Sequence, residues 1–201
     1  MKKIYENKRR GFLALVIMLV VSACATSPSP VYYTLAPATT GLAAISTNIA
    51  AEIGPFELPE YLDRPQIVTA GPGATLQLDE FNRWVEPLDQ IFLRTLTTSV
   101  GRQLGSDQIL ATASHRGFDA PIRVLGSVQR FETTSDANAV LDAQWAIVDR
   151  DGNIVKPGTR SRYAADIGNP ADIDARLRAL GEVLEKFGAD IANALRARPR
   201  H

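Results

Sequence analysis

Seven apolar side chains, Ile173, Leu177, Leu180, Leu184, Phe187, Ile191 and Leu195, step by three or four residues near the end of this chain. That spacing places them on one side of an α-helix, and a long helix with one apolar side needs another layer to cover it. An earlier stripe, Leu88, Ile91, Phe92, Leu96, Val100 and Leu104, makes the same demand. The rest of the chain after residue 30 is mostly short β-type runs parted by Pro, Gly and Asp-Gly signals, so the covering layer is a sheet. With 201 residues, 45% of them apolar, one core is the expectation. The reading is a single layered α/β domain, a mixed β-sheet covered by two long amphipathic helices.

The boundaries follow from local chemistry. Val31 to Leu35 reads as a short strand, and Ile49 to Leu58 as a second, with a bend or bulge at Gly54-Pro55. Pro59 to Pro65 is a loop or one helical turn; Gln66–Ala70 and Leu76–Phe81 form a hairpin around Gly71-Pro72-Gly73. Pro87 is expected at the first position of the first helix, where a missing N–H costs nothing, with Gly105 closing it. Gln108 to Ala113 is a strand and Ser114 to Ala120 a loop. Pro121–Phe131 and Ala139–Asp149 are longer strands. In the second, Leu141, Ala143, Trp145 and Ile147 alternate with Asp142 and Gln144, the mark of a half-buried strand. Asp149 to Asn153 is a tight turn, since Asp-Gly supplies positive φ angles, and Ile154–Ile167 returns as a strand interrupted at Pro157-Gly158. Asn169 is expected to cap the last helix, which runs to about Ala197.

The N-terminal segment has a different character. Lys2 to Arg10 is basic, Gly11 to Val21 is apolar, and Val21-Ser22-Ala23-Cys24 follows. This is the layout of a secretory signal, with small residues where the peptidase cuts. The apolar stretch from Gly11 to Ala25 holds 15 residues, short of the roughly 20 that a membrane span needs. Val-Ser-Ala-Cys resembles the lipobox of bacterial lipoproteins. The resemblance implies cleavage between Ala23 and Cys24, an S-diacylglycerol group on the Cys24 thiol and an acyl chain, such as palmitate, on its new amino group. Residues 1–23 are then the signal peptide, 24–30 the lipidated cysteine and a proline-rich tether, and 31–201 the domain. Cys24 is the sole cysteine, so no internal disulfide is available. By resemblance to enterobacterial sorting, Ala25 in place of Asp favours the outer membrane, on its periplasmic face.

Without residues 1–23 the chain keeps 17 basic and 21 acidic residues, a net charge near −4, with no field to attract nucleic acid. Catalytic and metal-binding patterns are missing from the sequence. The histidines are His115 and His201, and no His/Cys/Asp/Glu cluster has metal-ligand spacing. Asp149-x-Asp151-Gly-Asn153 superficially matches a calcium loop but has Arg160 at its twelfth position, so a hairpin turn is the better reading. Ser114-His115 lacks a third group to orient it. The acidic pairs Asp79-Glu80 and Glu57/Glu60 read as solvated surface, and Arg196, Arg198 and Arg200 as cations at a helix C-terminus or against anionic headgroups. No enzyme and no cofactor is the expectation.

Four stretches in order resemble the auxiliary lipoproteins of ABC-type transport systems, the PqiC/YmbA-like family. They are Tyr32-Tyr33-Thr34-Leu35, the run Ile53 to Leu62 ending in Pro-Glu-Tyr-Leu, Trp84-Val-Glu-Pro-Leu-Asp89 leading into a helix, and the late strand pair with Trp145 before a terminal helix. The resemblance implies a non-catalytic lipoprotein that works with an MCE-domain protein and an ABC transporter in moving lipids between membranes, and that can self-associate. Its docking surface would include the Pro59–Arg64 loop and the Gly71–Gly73 turn. Two rival readings are an envelope-assembly or cell-wall lipoprotein and a lipid-anchored hydrolase acting through Ser114 and His115.

Overall fold

The computed structural model describes residues 28–36, 46–112 and 120–198. The signal peptide, Ala23, Cys24, Ser114, His115, Arg200 and His201 lie outside them.

Eight strands form one mixed sheet: β1 Val31–Tyr33, β2 Ala51–Glu57, β3 Gln66–Ala70, β4 Leu76–Trp84, β5 Ile109–Ala111, β6 Ile122–Thr134, β7 Asn138–Asp149 and β8 Ile154–Asp166. The long strand β6 organises it. One edge of β6 pairs antiparallel with β7, which in turn pairs with β8. The other edge is shared end to end by two parallel strands, β2 beside Arg123–Ser127 and β3 beside Thr133–Thr134. A single 3-10 turn, Glu60–Leu62, joins them. The sheet therefore forks: β5 extends it from β2, and β4 followed by β1 extends it from β3.

Helices α1 (Leu88–Leu104) and α2 (Ile173–Ala197) cover one face, α1 over β2 and β5 and α2 over β6, β7 and β8. Every residue of both apolar stripes is buried except Ile173 and Leu177, which pack against the core's rim. Phe187 is the hub of the aromatic core. Its ring lies 5.7 Å from Phe56 and 6.0 Å from both Trp145 and Tyr163, and Phe92 bridges Phe56 to Phe131. The helices approach closely where Gly188 faces Ser99; a Cβ on Gly188 would stand 2.4 Å from the Ser99 hydroxyl.

The element termini refine the expectations. Pro87 stands at the cap, not the first helical position: its ψ of 135° is extended, and its carbonyl accepts the first helical N–H groups. Gly105, in the left-handed region, closes α1 with paired bonds, Gly105 N–H to the Arg102 carbonyl and Ser106 N–H to the Gly101 carbonyl. Asn169 does not cap α2. Residues 169–172 close a separate turn through Asp172 N–H to the Asn169 carbonyl, so the helix restarts with Asp172 as its cap. The Asp172 carboxylate accepts the Asp174 N–H at 2.9 Å. Strand β8 is not broken at Pro157-Gly158. It is the sheet's outer strand there, where a proline on the free edge removes no ladder bond, and the irregularity is absorbed as a register shift opposite Trp145–Ile147. A bulge does fall at Gly54-Pro55, a cis peptide, between the Ile53 and Phe56 registers.

Candidate functional site

The helices leave the opposite face of β6, β7 and β8 without cover among the described residues. In β7 the helix-side residues Ala139, Leu141, Ala143, Trp145 and Ile147 are all buried. Strand alternation turns Val140, Asp142, Gln144, Ala146 and Val148 the other way. Asp142 is at the centre of this bare face. The register sets Arg130 of β6 on one side of it and Arg162 of β8 on the other. Arg160 adds a two-point grip on its carboxylate, at 2.8 and 2.6 Å, and Arg162 donates at 3.1 Å. The Arg160 hydrogen bonds hold the Asp142 carboxyl below the usual carboxylate range, with Arg162 adding to the effect against a partial burial cost.

Next to this group lies a second one. Arg130 donates to Glu132 at 2.8 Å, and the Tyr61 hydroxyl donates to the other oxygen of the same carboxylate. Glu132 is only 3% exposed, yet both its oxygens are satisfied. Burial, with the Glu132 carboxylate beside it, pushes the Tyr61 phenol up. The Pro59–Arg64 segment is thereby tied to the bare face. Arg123 with Glu52 continues the pattern on the β2 side at 2.8 Å. Four arginines (123, 130, 160, 162) meet three carboxylates (52, 132, 142), an excess of one positive charge. The sequence singled out neither this network nor Asp142's part in it. The i, i+2 pattern Arg160-x-Arg162 on an edge strand was the available signal, but its acidic partner is 18 residues away and depends on register.

Other flagged residues find plain structural roles. The Asp149 carboxylate accepts from the backbone N–H groups of Asp151 and Asn153 and from the Asn153 side chain, so the turn uses both of its oxygens. These bonds, first that from the Asn153 amide, hold its carboxyl low. Glu57 and Glu60 are exposed. Asp79 departs from the expectation of solvated surface. It accepts from Asn82 and the Phe81 N–H and pairs with Arg176 of α2 at 3.4 Å, because strand alternation turns it to the helix side. Arg196 donates to the Gln103 carbonyl in the last turn of α1, so it serves a helix C-terminus of the neighbouring helix. Among the described residues no three His, Cys, Asp or Glu side chains gather as a metal site, and no helix is long and apolar enough to cross a membrane. A groove of about 770 Å³ opens between β1 and α2, lined by Tyr32, Tyr33, Ile167, Leu177, Arg178 and Glu182.

The described residues form a two-layer α/β domain, helices on one face of a mixed sheet. The model of the ABC-type transport auxiliary lipoprotein component matches residues 33–192, and the chain belongs to that family. A crystal structure of an uncharacterized protein shares the fold with a TM-score of 0.67 at 19% identity, over 83% of this chain and 98% of that one. Protein XCC0632 from Xanthomonas campestris, of the DUF330 family, does so with a TM-score of 0.60 at 14% identity, over 80% of this chain and 92% of that one. No curated protein matches the chain in sequence.

Proposed function

We propose that this lipoprotein is a non-catalytic docking component of an intermembrane lipid transport system, held by lipid on Cys24 at the periplasmic face of the outer membrane. The bare face of β6–β8 is its contact for an MCE-domain partner that works with an ABC transporter. The observation that carries this reading is the Arg130–Asp142–Arg160–Arg162 group: a satisfied, ordered, net positive network on a sheet face that no described helix covers. Such a face, with charges already placed by neighbouring strands, selects a partner by complementary charge at low ordering cost. The family's description as a transport auxiliary component supports a partner of that system. Self-association between copies is compatible with the same anchor.

The test is co-purification of the lipidated protein from membranes. The expected result is that an MCE-domain protein accompanies the wild type and is lost from an Arg160→Glu/Arg162→Glu variant that stays membrane-bound and folded. Recovery of a cell-wall synthase in its place would overturn the assignment in favour of the wall-associated reading.

A further inference from the structure

The β3–β4 hairpin reaches out of the domain at one end of the sheet. Residues 72–78 are all exposed, and a Cβ built on Gly73 meets nothing within 4 Å. From Gln66 to Leu78, thirteen consecutive residues carry no charge, in a chain whose charged fraction is 22%. Leu76 and Leu78 are 44% and 39% exposed, and they point to the face away from the helices, since Asp79, the next residue along β4, turns towards Arg176 of α2. Among the described residues nothing pairs with the outer edge of β4 along this stretch, because β1 pairs only with Asn82–Trp84. The tip is internally finished: Gly71 N–H bonds the Thr75 carbonyl, and the Thr75 hydroxyl bonds the Pro72 carbonyl. Phe81, Val31 and Tyr32, all about half exposed, lie in β4 and β1 beyond the hairpin's base.

Chain direction connects this hairpin to the anchor. β1 runs parallel to β4, and β4 runs away from the tip. The chain before Val31 therefore enters from the tip's end of the molecule. Val31 is level with Asn82, and because β4 bulges between Asp79 and Arg83, Leu76 lies only about four residues of β3 further towards the tip, a distance of about 13 Å. Six residues separate Val31 from Cys24, and the seven Cα steps between them reach about 23–25 Å when extended. A tether of that reach is long enough to let the anchor and the tip meet one lipid surface.

We propose that the Gly71–Leu78 tip rests on the lipid surface as a second membrane contact beside the lipidated cysteine, fixing the domain's orientation. The tip is then a lipid contact and not part of the partner-docking surface. An uncharged turn flanked by Leu76 and Leu78 can enter the headgroup boundary, where water and headgroups meet its open edge, without desolvating a charge of its own. The opposite end of the sheet, the charged Asp149–Asn153 turn, stands about 40 Å away along β6 and faces the aqueous space. This proposal rests on the lipid-anchor reading of Cys24.

The experiment uses the full lipidated protein in vesicles of phosphatidylethanolamine and phosphatidylglycerol. Cys24 is acylated there, so Ala74→Cys, Leu76→Cys or Asp151→Cys each supplies a single thiol for an environment-sensitive fluorophore. Vesicle flotation reads the anchor separately. The expected result is a blue-shifted emission for labels at 74 and 76, quenched at least twofold by lipids carrying a shallow nitroxide, with the label at 151 unaffected. Labels at 74 and 76 as water-exposed as that at 151, in protein that floats, would overturn the tip contact and leave the anchor standing. A blue shift without nitroxide quenching, retained in detergent, would show a protein neighbour or a second copy on the tip and would also overturn it. Protein that fails to float removes the anchor and the tip contact together.

Discussion

Asp142 accepts three arginine hydrogen bonds on a face open to solvent, and its loss leaves two guanidiniums without that partner. Asp142→Asn is expected to destabilise the domain by about 1–2 kcal/mol, the range for hydrogen bonds to charged groups with partial screening. The pH dependence has a definite sign. The folded-state pKa is depressed, so the contribution is complete above the ordinary aspartate value near pH 4 and fades as pH falls through the lower folded value. Denaturant melts between pH 3 and pH 7 check this: the wild type should lose more stability than the Asn variant on acidification, and parallel curves would contradict it. Gly126 makes a different single-residue demand. A Cβ there would lie 2.3 Å from the Gln144 carbonyl oxygen and 3.0 Å from the Phe56 ring, both held by the sheet and core. Gly126→Ala is expected to cost about 2–3 kcal/mol through overpacking, measured as a lowered denaturation midpoint with an unchanged m-value.

At the scale of elements, the two helices hold the core through Phe187. The ring makes tilted or edge-on contacts with Phe56, Trp145 and Tyr163, so truncation opens a cavity bounded by a helix and three strands. Phe187→Ala is expected to destabilise by about 3–5 kcal/mol, read by thermal or denaturant unfolding; a change below about 1 kcal/mol would mean that the hub collapses without loss. These elements were legible from sequence wherever a pattern was local. Both helical stripes, the Gly105 stop, the β3–β4 hairpin, the alternation in β7 and the Asp149–Asn153 turn all follow from spacing over short stretches of chain. The misreadings came where two local signals competed. Asn169-Pro170 and Asp172 each offer a helix start, and only the intervening turn decides that the second one caps. Pro157-Gly158 looks like a strand break until the sheet order places β8 at the edge. The forked pairing of β2 and β3 on one side of β6, and the Asp142 network that β6, β7 and β8 assemble, depend on register across long sequence separations, which no local pattern encodes.

At the scale of the whole molecule, folding and placement are separable. The core, the sheet and both helices lie within residues 31–198, and the first described residues, Pro28 to Pro30, precede the first strand. On the proposed anchoring, stability would not draw on lipid at Cys24, while position would. Two or more acyl chains there, each buried CH₂ contributing about 0.8 kcal/mol, would give a hold that the six-residue tether would limit in height to a reach of about 23–25 Å. Cys24→Ala should accordingly leave the melting temperature within about 1 °C of the lipidated protein once that protein is measured in detergent, since no core contact changes. It should also move the protein out of the membrane fraction. The uncharged hairpin tip alone is too small to retain it: Leu76 and Leu78, fully buried in lipid, would contribute at most about 1.5–3 kcal/mol each, a weak and reversible association. Fractionation of cells carrying the variant decides the matter. Retention in the membrane without acylation would show that the domain, and not the cysteine, sets where this protein stands.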